Sequence, residues 1–216
     1  MKIFYSGQYF EKNLSQIYWR RFCQYGPTAK SSFWLSENRQ ELRFGIIMRE
    51  VFKLTTDPII GLADIGCGYG ALLLYLKNKG YYNRIDYSGY DICSSLISEC
   101  RKKDKFVSFE LGVEPKLRTM FTVMSGTYNL APTNNIKTWQ NYVEECLKKC
   151  WKKTSKAMIF NLQLAKNEQI SNTNIYYADC NRILELCVSL FGPTKLVKNN
   201  RLPNDGTFVV MNQTFQ

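Results

Sequence analysis

Histidine is absent from all 216 residues. That removes the commonest general base at neutral pH and the commonest zinc ligand. It also excludes Ser-His-Asp and Cys-His nucleophilic machinery. Eight cysteines are present, none spaced as Cys-x-x-Cys. The chain is long and apolar enough to fold without a disulfide framework, so they read as small buried hydrophobes in a reducing compartment, and no metal site is expected. No apolar run approaches the roughly 20 residues of a membrane span. Glu11 and Lys12 follow too soon after Met1 for a secretory leader. The chain reads as cytoplasmic.

Hydrophobic residues make up 45% and charged residues 22%, a balance that excludes disordered and fibrous chains. The length suits one domain with an added cap. Basic residues outnumber acidic ones 29 to 18, for a net charge of +11. The excess divides as +4 over residues 1–57, +2 over 58–130 and +5 over 131–216. A basic surface can mean nucleic acid or acidic substrates, but no single segment owns this one.

Residues 1–57 read as helical. Leu14, Ile17, Tyr18, Arg21 and Phe22 keep helical spacing, and Gly26-Pro27-Thr28 breaks the chain. A second helix is expected from Ser36, as N-cap, to Leu54. From Ile59 short apolar runs alternate with amphipathic stretches. Strands are expected at 59–65, 85–92, 106–111, 121–124 and 157–162. Helices are expected at 71–79, 94–103, 136–153 and from the cap Asp179 to Gly192. Two final β segments, 196–198 and 207–212, are joined by an expected turn at Pro203-Asn204-Asp205-Gly206. Alternation of β and α implies a mainly parallel sheet with helices on both faces. The last connection is too short for a parallel crossover, so one terminal strand runs antiparallel. The expected architecture is a doubly wound α/β sheet over residues 58–216, with an N-terminal helical cap over 1–57.

The sharpest motif is Asp64-Ile65-Gly66-Cys67-Gly68-Tyr69-Gly70, between a buried strand and a helix. Its glycines permit a tight turn and close ligand approach. It is neither the dinucleotide fingerprint nor a phosphate loop with its Lys-Ser/Thr. Asp64 would repel a pyrophosphate and suits a cationic ligand such as an ammonium group. Asp91, 21 residues after Gly70, ends the second strand, where a carboxylate can take both hydroxyls of a ribose.

Together the loop and Asp91 resemble the cofactor site of class I S-adenosylmethionine-dependent methyltransferases. The resemblance implies a Rossmann-like seven-stranded sheet, S-adenosyl-L-methionine as cofactor, and cofactor contacts at Asp64, Gly66, Cys67, Gly68, Gly70, Asp91 and Ile92. The segments Phe33-Trp34-Leu35-Ser36…Gln40-Glu41-Leu42-Arg43-Phe44 and Ser125-Gly126-Thr127-Tyr128-Asn129 are similar to those of a small bacterial subgroup of that family. This similarity adds Ser125 and Gly126 to the cofactor set. It also suggests that Arg43 pairs with the cofactor carboxylate from a lid, against the plainer reading of a solvated helix face. Such enzymes often hold adenine with an acidic residue after the third strand, where this chain has Val113. Nor does the fourth strand end in the Asn/Asp-Pro-Pro-Tyr/Phe of base and glutamine N-methyltransferases.

Side chains near the transferred methyl should come from loops beyond the strand C-termini. Tyr128 and Asn129 are candidates to shape that pocket. Tyr177 and Asp179 are candidates to orient or deprotonate a hydroxyl, with packing and helix capping as their structural alternatives. The expected function is O-methylation of a small-molecule acceptor in a surface-polysaccharide or specialised-metabolite pathway. The acceptor would be a sugar, phosphate or phosphoramidate intermediate. The chain leaves no room for a separate nucleic-acid module. The competing reading is an RNA or protein methyltransferase that uses the basic surface.

Overall fold

The computed structural model describes residues 2–34 and 36–212; Leu35 of the Phe33–Phe44 segment lies outside them. In chain order the elements are α1 (Lys2–Tyr25), α2 (Glu37–Leu54), β1 (Ile60–Ile65), α3 (Ala71–Asn78), β2 (Ile85–Asp91), α4 (Ser94–Lys103), β3 (Ser108–Leu111) and β4 (Thr119–Met124). There follow α5 (Ile136–Lys152), β5 (Thr154–Leu164), β6 (Gln169–Ile170), β7 (Tyr176–Ala178), α6 (Cys180–Leu190), β8 (Thr194–Asn199) and β9 (Leu202–Met211). Ser36 caps α2 by accepting from Arg39 N at 3.3 Å, and Asn135 caps α5 by accepting from Thr138 N at 2.9 Å. No helix among the described residues is long and apolar enough to cross a membrane.

β1 lies between β2 and β4, both parallel to it. β3 extends the sheet beyond β2, and β5 beyond β4, again in parallel. β9 runs antiparallel to β5, and β8 antiparallel to β9. The main sheet is therefore β3-β2-β1-β4-β5-β9-β8, seven strands with only β9 reversed. Alternate residues feed two cores. Ala63 and Ile65 of β1, with Met158, Phe160 and Leu162 of β5, pack under α1, α5 and α6. Ile60, Leu62, Ala157 and Ile159 pack under α2, α3 and α4. This period-two partition accounts for strands that read as continuous apolar runs. Phe44, Ile47, Met48 and Val51 of α2 belong to the second core, so α2 is packed into the layered sheet across the expected boundary at residue 57.

Two features differ from the sequence reading. Residues 169–178 were expected to contain no strand, yet β6 and β7 form a short hairpin. β7 pairs in parallel with the end of β5, Gln163 opposite Tyr177. The terminal turn is also displaced. Pro203 to Gly206 lie inside β9, and the chain reverses at Asn200-Arg201, where Asn199 Oδ1 accepts from Arg201 N at 2.9 Å. Pairing with β5 holds the segment extended, Asp205 opposite Gln163 and Gly206 opposite Leu162. The β8–β9 register is irregular there, which leaves room for a proline that donates no ladder hydrogen bond.

Candidate functional site

The C-terminal ends of β1, β2 and β4 meet where the strand order reverses, the place where open α/β sheets bind ligands. Gly66, Gly68 and Gly70 all take positive φ, +74°, +57° and +83°. A Cβ on Gly66 would stand 2.7 Å from Thr127 Cγ2, and Thr127 Oγ1 is fixed by donating to Ile65 O at 2.7 Å. Only glycine fits there. Gly66 N and Cys67 N both donate to Tyr90 O, at 2.7 and 3.0 Å, which ties the loop to β2.

Asp91 completes the clamp. Its Oδ2 accepts from Gly68 N at 2.9 Å and its Oδ1 from Cys93 N at 2.8 Å. Burial raises its pKa, while the amides of Cys93, Gly68 and Ile92 oppose the rise. Asp64 is also buried, and Tyr87 Oη donates to its Oδ2 at 2.7 Å. Burial pushes the Asp64 carboxyl up to about 7; the Tyr87 hydrogen bond opposes that and the Asp91 charge adds to it. Two acidic groups with low charge affinity face one cleft, a place for a ligand that brings a cation and hydroxyl donors.

The cleft is lined by Asp64, Gly66, Cys67, Gly68, Asp91, Ile92, Ser125, Gly126 and Tyr128, all expected from the sequence. Gly70, the remaining loop glycine, instead holds the N-cap position before α3. Leu96, Gly112, Val113 and Trp139 form an apolar wall. Gln40 and Phe44, from the Phe33–Phe44 segment expected to fold over the pocket, close the cleft from outside the sheet, together with Leu14 and Tyr18 of α1 and Ser32 beside Trp34, which were not singled out as site residues. The signal at Leu14 and Tyr18 was helical periodicity, which reports burial without saying against what. Tyr69 Oη donates to Gln40 Oε1 at 3.1 Å and so joins loop to α2. Among the described residues, Ser125 Oγ and Tyr128 Oη are buried in this cleft without a hydrogen-bond partner.

The other candidates lie elsewhere. Arg43 pairs with Asp205, stacks 3.9 Å over the Trp34 ring, and lines an adjoining cavity. The carboxylate it meets is the chain's own. Asn129 and Tyr177 line that second cavity too. Asp179 lines neither; it caps α6, accepting from Arg182 N at 2.8 Å. Its neighbour Tyr176 donates to Glu168 Oε1 at 3.0 Å and accepts from Arg182 at 2.8 Å.

No protein-family model matches the chain. A Leishmania major S-adenosylmethionine-dependent methyltransferase superimposes with a TM-score of 0.66 at 10% identity, over 92% of this chain and 82% of its own. The chain has the class I methyltransferase fold. S-adenosylmethionine-bound CalS10 of Micromonospora echinaspora, an amino pentose methyltransferase, shares that fold with a TM-score of 0.60 at 8% identity, over 81% of this chain and 92% of its own. In sequence, a Mycobacterium tuberculosis protein provisionally named a methyltransferase is 25% identical over 135 residues, 61% of this chain and 80% of that protein. Within the methyltransferase fold, the hairpin β6–β7 is an addition to the seven-stranded sheet, and the second cavity lies beside it.

Proposed function

We propose that this protein transfers the methyl group of S-adenosyl-L-methionine to a small-molecule acceptor. The observation that carries the reading is the single cleft joining Asp64, Gly66, Cys67, Gly68, Asp91 and an apolar wall. The residues fit that cofactor. Asp64 suits its ammonium group and Asp91 its ribose hydroxyls. Ile92, Leu96 and Val113 offer adenine an apolar slot without an acidic partner. Ser125 Oγ and Tyr128 Oη supply buried polar groups still lacking partners. Bound there, the cofactor supplies an electrophilic sulfonium methyl; the protein supplies orientation and water exclusion.

α1 and the Ser32–Trp34 segment act as the lid that excludes water. Tyr128 and Asn129 bound the place of transfer, and Tyr177 faces the acceptor. Burial holds the Tyr128 hydroxyl protonated, so it acts as a donor. The acceptor reading is O-methylation in a cytoplasmic surface-polysaccharide or specialised-metabolite pathway; the amino pentose enzyme of the same fold supports its sugar-like, specialised-metabolite part alone. Calorimetric titration with S-adenosylhomocysteine should give one site per chain, and no heat at millimolar ligand would refute the reading. The +11 charge favours a second reading, RNA methylation. RNA binding that survives about 0.15 M salt would support it.

A further inference from the structure

The second cavity lies between α2, the Ser32–Trp34 segment, the β4–α5 loop, the ends of β5 and β7, and the start of β9. It shares Tyr18, Ser32, Trp34 and Gly126 with the cofactor cleft, so these residues form a wall common to the two. Gly126 is fixed in that wall. Its N donates to Asn161 Oδ1 at 2.6 Å, its φ is +75°, and a Cβ would stand 2.5 Å from the Trp34 ring.

Asp205 sits in the cavity wall at 6% exposure. It pairs with Arg43 and accepts from Asn161 Nδ2 and Gln163 Nε2, each at 3.3 Å. A buried ion pair rarely adds net stability, because desolvation offsets the attraction. This one is also incomplete. Arg43 is 5% exposed, and its Nε is buried without a partner among the described residues. A hydroxyl group completes the set, since its oxygen accepts from Nε and its proton goes to a carboxylate oxygen. Burial raises the Asp205 pKa against the opposing pull of Arg43, Arg39 and Gln163, which strengthens it as an acceptor of such a proton. The charged residues lining the cavity are Arg39, Arg43 and Asp205, a net single positive charge. Arg39, which makes no ion pair among the described residues although its charge reaches Asp205, favours an anionic substituent.

Resting on the methyltransferase reading, we propose that this second cavity is the acceptor site. It takes a hydroxylated small molecule carrying one anionic group. The hydroxyl is held between Arg43 and Asp205, and the anion meets Arg39. Trp34 is the reporter, because its indole forms part of the shared wall.

The test uses the full chain labelled with 15N-tryptophan and three probes: a hexose phosphate, the neutral hexose and inorganic phosphate. The Trp34 indole resonance, assigned by Trp34→Phe, should move with the hexose phosphate at millimolar concentration and bind it about tenfold tighter than either other probe. Arg39→Gln should reduce hexose phosphate to the level of the neutral hexose. Asp205→Asn should reduce it to the level of inorganic phosphate. Both variants should bind S-adenosylhomocysteine within about twofold of wild type, and saturating S-adenosylhomocysteine should not displace the hexose phosphate. Three probes that bind alike, an unmoved Trp34 signal, or displacement by S-adenosylhomocysteine would overturn the proposal. Failure of the wild-type chain to bind S-adenosylhomocysteine at all would instead remove the methyltransferase reading beneath it.

Discussion

The Asp64 carboxyl offers a pH test of the cofactor cleft. Ligand-free, it titrates near 7 because burial penalises its charge. A bound ammonium group would hold it ionised, so binding below pH 7 must expel a proton. Affinity should then fall about tenfold per pH unit on the acid side, roughly 100-fold between pH 8 and pH 5, or about 2.7 kcal/mol. Calorimetry with S-adenosylhomocysteine across that range measures the slope. Methylthioadenosine is the control. It keeps the ribose that Asp91 would meet but lacks the amino acid, so its affinity should stay level. Asp64→Asn keeps a group that can accept from Tyr87 and should flatten the profile. The linkage also fixes a sign for stability. A carboxyl raised on folding binds its proton more tightly in the folded state, so its contribution falls as pH rises from about 4 to about 7. Asp64→Asn should therefore gain in melting temperature relative to wild type over that window. A level S-adenosylhomocysteine profile from pH 5 to pH 8, or one matched by methylthioadenosine, would refute the placement of the ammonium at Asp64.

Asp91→Ala removes the acceptor of two amides, Gly68 N and Cys93 N. It should cost about 1–3 kcal/mol of stability for each amide left buried, besides the lost ligand contact; denaturant midpoints equal to wild type would argue against the clamp. Gly126→Ala forces a Cβ against Trp34 at positive φ and should cost about 1–3 kcal/mol while shifting the indole signal. Thermal unfolding with tryptophan fluorescence checks both effects. Hydrogen exchange in residues 10–18 and 32–44 should slow when S-adenosylhomocysteine is added, because Leu14, Tyr18, Trp34 and Gln40 line the cleft; unchanged exchange would make these segments scaffold.

The cleft at the strand ends was legible because its signals are local. The glycine loop, Asp64 and Asp91 each sit within a few residues of a strand end, and strand ends follow from apolar runs. The second cavity was not. Asp205 stands 162 residues from Arg43 in sequence, and its own neighbourhood, Pro203 to Gly206, carries a strong turn signal. Pairing with β5 overrode that signal, a tertiary effect that no short window contains. β7 was missed for a related reason: three residues beside the end of β5 leave no period to detect. Arg43 was singled out by resemblance as a carboxylate binder. It does bind a carboxylate, one that the linear sequence could not name.

The hydrogen bonds that Asp91 accepts join the glycine loop to the start of α4 with no ligand needed. An arriving ligand thus meets a rigid edge. Ordering a free loop would cost about 1–2 kcal/mol for every residue fixed, a toll that folding has already met. In the reading proposed above, what still has to settle is the cover, α1 and the Ser32–Trp34 segment. Exchange of spent ligand for fresh would then be governed by how often that cover lifts, so substitutions at Leu14 or Tyr18 should alter residence time far more than the rate of arrival.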